Sequence, residues 1–171
     1  MAIQMILCLE TNKKANTDYI YIKETIDFLY QKNNQIKISP LYMSTKTKYK
    51  SGDIIREIAK KKKGFAAIGQ TKVIYCIDTD EFEKNVEHAN AFQDIRQYCE
   101  AEGYELIWFC HDVEEVFQGK KISDSQKVRE AGAFRNKKMI MEIPPERLKE
   151  KVVKPHTSNI VNILDQYLKR K

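Results

Sequence analysis

Three carboxylates stand where α/β proteins carry chemistry. Glu10 directly follows the apolar run Ile3–Leu9, and Asp78-Thr79-Asp80 directly follows the β-branched and aromatic run Lys72–Ile77. Asp78 and Asp80 are two residues apart, so in extended backbone their side chains share one face. Three carboxylates held close together repel unless a cation sits among them. Hard oxygen ligands of this kind suit Mg²⁺ or Mn²⁺, with water and a substrate phosphate completing the coordination. The chemistry such a site supports is metal-assisted attack on phosphate. Alone, a DxD after a strand reads as a helix cap and a turn acid. Its pairing with Glu10 points to a site.

Basic residues flank these acids. Lys13 and Lys14 follow Glu10, at the mouth of any crevice the acids form, where they could hold a phosphate or offset developing charge. Lys46, Lys48 and Lys50 follow the second apolar run on the same rim, with Tyr49 among them. Interleaved lysine and tyrosine suits phosphate contact plus base stacking; a solvated loop has the same composition. The Lys60–Lys63 run lies at a helix C-terminus, where cations favour the dipole, and reads as structural. His111 is a candidate proton-transfer group. Gly64 and Gly69 have P-loop spacing, but Gln70 stands where the phosphate-binding lysine must be, so that motif is discarded.

For the acids to meet, their strands must be neighbours. Apolar runs at Ile3–Leu9, Ile36–Met43, Lys72–Ile77 and Tyr104–Cys110 read as strands, the second an edge strand because it contains Pro40. Helical spacing appears over Asp18–Tyr30, from Ser51-Gly52-Asp53 onward, over Ala89–Ala101 with a stop at Gly103, and over His111–Phe117 and Ser123–Phe134. A short strand over Met139–Ile143 and a final helix over Thr157–Leu168 complete the reading. Such alternation implies a mainly parallel sheet covered by helices. In strand order 2-1-3-4, strands one and three are adjacent, and the crevice where open sheets bind ligands lies between their C-terminal ends. The expectation is therefore an α/β, Rossmann-like, four-stranded, mainly parallel sheet in one domain over residues 1–171. Its core spans about residues 1–118, and a helical C-terminal extension spans about 119–171.

Bulk properties limit the partners. A net charge of +6 and a pI near 9.0 permit a polyanionic partner without requiring one. No apolar run reaches membrane-spanning length, and the N-terminus reads as a strand, not a signal peptide. The four cysteines form no CxxC pair and read as reduced thiols of a cytoplasmic protein, not as disulfides or zinc ligands. No GxGxxG or clear nucleophile motif is present, which argues against nucleotide-cofactor enzymes and acyl transfer.

The same residues resemble a known family. Ile6-Leu7-Cys8-Leu9-Glu10, followed by Lys13 and Tyr19, is similar to the "CEGEKTE…YF" opening of RloB-like proteins, a branch of the Toprim fold. Ile74-Tyr75-Cys76-Ile77-Asp78-Thr79-Asp80 resembles the Toprim hhhhDxD motif. Cys110–Phe117 resembles the family's "SNPxFExW" stretch and aligns Glu115 with its glutamate, and Thr157–Val161 resembles its "sTNVh" stretch. The likeness runs in order over nearly the whole chain. It implies a Mg²⁺- or Mn²⁺-dependent nuclease acting on DNA or RNA in restriction or phage defence. Glu10 would then be acid/base and metal neighbour, Asp78 and Asp80 metal ligands, and Glu115 a further acid. Thr11 stands where the family has glycine, and Asp112, Glu114 and Phe117 replace its proline, phenylalanine and tryptophan. These departures keep two other readings open. One is a catalytically inactive Toprim-like module that binds nucleic acid or regulates. The other is a structural α/β domain that binds a partner protein of a defence system or a second copy of itself.

Overall fold

The structure is a computed structural model and describes all 171 residues. The first apolar run becomes the central strand β1 (Ala2–Leu9), buried from Gln4 to Leu9. It pairs in parallel with β2 (Ile36–Tyr42) on one side and β3 (Gly69–Asp78) on the other. β4 (Glu105–Cys110) pairs in parallel with β3, and the two-residue β5 (Thr157–Ser158) adds antiparallel to β4. The order is β2-β1-β3-β4-β5. The expected 2-1-3-4 order holds, with Pro40 on an edge strand; the four-stranded count is corrected to five.

Alternate residues of each strand feed two apolar layers, as the pleat requires. Met5, Leu7, Ile74 and Phe109 face α1 (Thr17–Leu29), α4 (Val113–Gln118), α5 (Lys127–Asn136) and α6 (Ile160–Leu164). Ile6, Cys8, Tyr75 and Trp108 face α2 (Gly52–Phe65) and α3 (Val86–Glu102). The chain thus leaves β1 over one face to reach β2 and returns over the other to β3. This makes the gap between the C-terminal ends of β1 and β3 the switch point. Local chemistry sets the helix limits. Ser51 and Asn85 side chains accept the amides of Ile54 and His88, and α3 stops at Gly103 in the left-handed region (φ 69°). Gly69 has a packing reason: a Cβ there would lie 1.9 Å from the carbonyl oxygen of Ala2 on β1.

Two C-terminal expectations are corrected. Met139–Glu142 forms a 3-10 turn, not a strand, entered through Lys138 in a left-handed conformation. The outer edge of β4 is taken by β5. The helix expected over Thr157–Leu168 is restricted to Ile160–Leu164. Asn159 explains the late start. Its Oδ1 accepts the Trp108 amide at 2.9 Å and its Nδ2 donates to the Leu106 carbonyl at 2.9 Å, so a side chain continues the β5 pairing by one rung. Backbone held against β4 in this way cannot coil until Ile160. No helix is long and apolar enough to cross a membrane. All four cysteines are free and buried.

Candidate functional site

β1 and β3 end side by side, with Leu9 opposite Cys76 in the register. Glu10 is therefore the first residue past β1, and Asp78 is the last residue of the adjacent β3. The Asp78 amide donates to Glu10 Oε1 at 2.8 Å. Asp78 Oδ1 in turn accepts the Val113 amide at 3.0 Å, which docks the N-terminus of α4 onto the strand end. Asp80 is turned by a left-handed backbone (φ 51°), and its amide donates to the His111 carbonyl at 2.8 Å. Its carboxylate pairs with Lys46, which also donates to the Asp78 carbonyl at 3.0 Å. Glu10 and Asp78 thus meet as expected, whereas Asp80 is held by Lys46 at the rim. The three acids do not form a group with ligand atoms within 4.8 Å of one another; Glu83, Cys110 and His111 do.

Glu10 and Asp78 open on a polar cleft of about 560 Å³, also lined by Thr11, Asp18, Glu114 and Lys127. Burial is the first cause that raises these acids. Glu10 is pushed up to about 8, with Lys46 opposing and Asp18 reinforcing. Asp18 rises to about 6 and Glu114 to about 7, each opposed by Lys127. Asp78 is raised well above the usual carboxylate range by burial and then by Glu10 and Asp18. For Lys46, burial pulls the ammonium down, but Glu10 and Asp80 outweigh it and it stays charged. Two lysines therefore face more acids than they can neutralise. Glu114 Oε2 and Thr11 Oγ1 are buried without a hydrogen-bond partner; the nearest cation to the former, Lys127 Nζ, is 3.6 Å away. Hard oxygens that burial and mutual repulsion hold back from ionising would be relieved by a divalent cation.

The other expected residues divide. Glu115 is not in the cleft: its Oε2 accepts the His111 amide at 3.2 Å and lies 2.8 Å from His111 Nδ1, while the adjacent Glu114 points into the cleft. Lys13, Lys14, Lys48 and Lys50 are exposed. Tyr49 packs edge-on against Tyr98 at 5.2 Å with Lys50 over its ring, so it offers no open stacking platform. Sequence reasoning missed Asp18, Glu114 and Lys127. Asp18 had a signal, since an acid in the first turn after β1 must lie near the end of that strand. Lys127 had none, because its position depends on how the C-terminal extension packs.

These shifts predict the pH profile of the metal-free chain. An acid whose folded pKa lies above its unfolded one keeps protons that the unfolded chain releases, so stability falls as pH rises between the two values. Glu10, Asp18 and Glu114 place that window between about 4 and about 8. In EDTA the melting temperature should fall from pH 5 to pH 8, and Glu10→Gln should flatten the slope. A profile rising over that range would contradict the electrostatics described.

No protein-family model matches the chain, and no curated protein or solved structure matches it either.

Proposed function

We propose that the chain is a divalent-cation-dependent phosphodiesterase acting on DNA or RNA, built on a Toprim-like form of this α/β fold. The observation that carries the reading is the Glu10–Asp78 pair at adjacent parallel strand ends, opening on a cleft with surplus buried acid. Glu10, Asp78 and Asp80 would hold Mg²⁺ or Mn²⁺. When bound, the ion would lower the pKa of a water and offset charge on the scissile phosphate. Glu10, at the end of β1 beside Asp78, would exchange a proton with the attacking or leaving oxygen. Lys46 positions Asp80 through their ion pair. The exposed Lys13, Lys14, Lys48 and Lys50 would contact backbone phosphates without reading sequence, so binding should weaken steeply with salt.

A second reading, cation or nucleic-acid binding without turnover, is favoured by Thr11. A side chain stands there where glycine would let phosphate approach the backbone. One experiment separates the two. The chain is incubated with plasmid, single-stranded DNA and RNA in Mg²⁺, Mn²⁺ or EDTA, beside an Asp78→Ala/Asp80→Ala double variant. Metal-dependent cleavage lost in the variant is the expected result. Cleavage that survives both EDTA and the double substitution would sink the metal account, and metal binding without cleavage would favour the second reading.

A further inference from the structure

The group whose ligand atoms do lie within 4.8 Å of one another sits outside the cleft. Glu83 comes from the loop between β3 and α3, and Cys110 and His111 end β4. His111 Nε2 faces both carboxylate oxygens of Glu83 at 3.0 Å. Its other nitrogen, Nδ1, lies 2.8 Å from Glu115 Oε2. A carboxylate behind one ring nitrogen fixes the tautomer and aims the other nitrogen forward, as second-shell carboxylates do for metal-bound histidines. Cys110 is fully buried behind the pair, while the side chains of His111 and Glu83 are 23% and 35% exposed. The group therefore has an apolar back wall and an opening to solvent.

We propose that Glu83, Cys110 and His111 form a Zn²⁺ site separate from the carboxylate cleft, with Glu115 orienting His111. The donor set decides the metal. Thiolate and imidazole suit Zn²⁺ and its spectroscopic substitute Co²⁺ and are poor ligands for Mg²⁺. Three protein ligands leave the fourth tetrahedral position to water at the open side. On binding, Cys110 Sγ and His111 Nε2 each release a proton to solvent, Glu83 exchanges its contact with Nε2 for the metal, and His111 keeps its Nδ1 proton on Glu115. The site accounts for Glu115, the acid that turns away from the cleft.

Its consequence is mechanical. The metal ties the loop that carries Glu83 to the end of β4, at the point where the Asp80 amide already donates to the His111 carbonyl. The position of Asp80 is thereby fixed from behind. That effect on Asp80 matters only under the phosphodiesterase reading; the metal site itself stands without it.

The test titrates the metal-free full chain with Co²⁺, and separately with Zn²⁺ against a chromophoric chelator. With excess Mg²⁺ present to occupy the carboxylate cleft, one equivalent should bind, with the intense d–d bands of tetrahedral Co²⁺ and a thiolate-to-cobalt charge-transfer band. Cys110→Ser should abolish the charge-transfer band, and Glu115→Gln should weaken binding by roughly 10- to 100-fold. Glu83→Gln alters a surface loop and so tests the site even where a Cys110 variant fails to fold; it too should lower affinity. Asp78→Asn should keep the spectrum, and excess Mg²⁺ should not displace Co²⁺. The proposal is overturned by absence of stoichiometric binding, by a charge-transfer band that persists in Cys110→Ser, by unchanged affinity in Glu83→Gln, or by a signal lost in Asp78→Asn. Nuclease activity plays no part in these readouts, so this site and the cleft fail or stand separately.

Discussion

Asp78→Asn is expected to yield a folded chain that is more stable than the parent in EDTA and, if the chain is the phosphodiesterase proposed above, inactive. Asp78 is buried among Glu10, Asp18, Glu114 and Asp112, all of which disfavour its charge. Asparagine retains an oxygen to accept the Val113 amide, the contact that docks α4. What it loses is the ionisable group that folding must otherwise hold protonated. Removing a repelled carboxylate from a functional cleft should add roughly 1–2 kcal/mol, or about 2–8 °C in melting temperature for a chain of this size. Under the proposed phosphodiesterase reading, the same loss would remove a metal ligand worth several kcal/mol of transition-state charge stabilisation, so cleavage would drop by about three orders of magnitude. Thermal melts with and without Mn²⁺ provide the check: Mn²⁺ should raise the melting temperature of the parent and leave the variant unmoved. A variant that is less stable than the parent in EDTA would mean that Asp78 is chiefly a helix cap.

Asn159→Asp should be the most damaging single change outside the apolar core. Asn159 satisfies the Trp108 amide and the Leu106 carbonyl at once, as a strand residue would. Aspartate can still accept from Trp108 but sets a carboxylate oxygen against the Leu106 carbonyl. Asn159→Ala leaves both groups unmet. A buried polar group without a partner costs about 1–3 kcal/mol, so a loss of roughly 2–4 kcal/mol is expected for each variant, with aspartate at the upper end. Urea unfolding should show a lower midpoint at unchanged slope. A change under about 0.5 kcal/mol would show that Thr157–Ser158 holds β4 without help.

The first four strands were legible because β1, β3 and β4 contain apolar runs between turn signals, β2 alternates apolar residues with Lys37 and Ser39, and parallel order is constrained by crossover handedness. The Glu10–Asp78 pair followed directly from that order. The C-terminal third was not legible, and the reasons are specific. β5 is two residues long and carries no periodicity, since its pairing is completed by a side chain instead of backbone. Met139–Ile143 has the composition of a strand, but the β4 edge is already filled by Thr157–Ser158. Glu114 and Glu115 are adjacent and chemically alike; only the docking of α4 on Asp78 sends the first into the cleft and the second to His111. Composition also obscured Cys110. It lies inside an apolar run, where a thiol reads as filler, and its partner Glu83 is distant in sequence.

The C-terminal segment that closes β4 also returns to α1. Tyr30 reaches the Val161 carbonyl and the Asp165 carboxylate across 131 and 135 residues of chain, and the Lys171 amide donates to the Leu29 carbonyl. During synthesis, the outer edge of β4 and the flank of α1 therefore stay bare until residues 157–171 have emerged. Every residue of the carboxylate cleft is made before the segment that seals the molecule. Contacts of such long separation close slowly, and an unpaired strand edge in the meantime invites association with other chains. A nascent chain halted after residue 118 should accordingly carry Glu10 and Asp78 yet be retained by chaperones or aggregate. Emergence of residues 157–171 should mark the moment at which this fold becomes resistant to proteolysis.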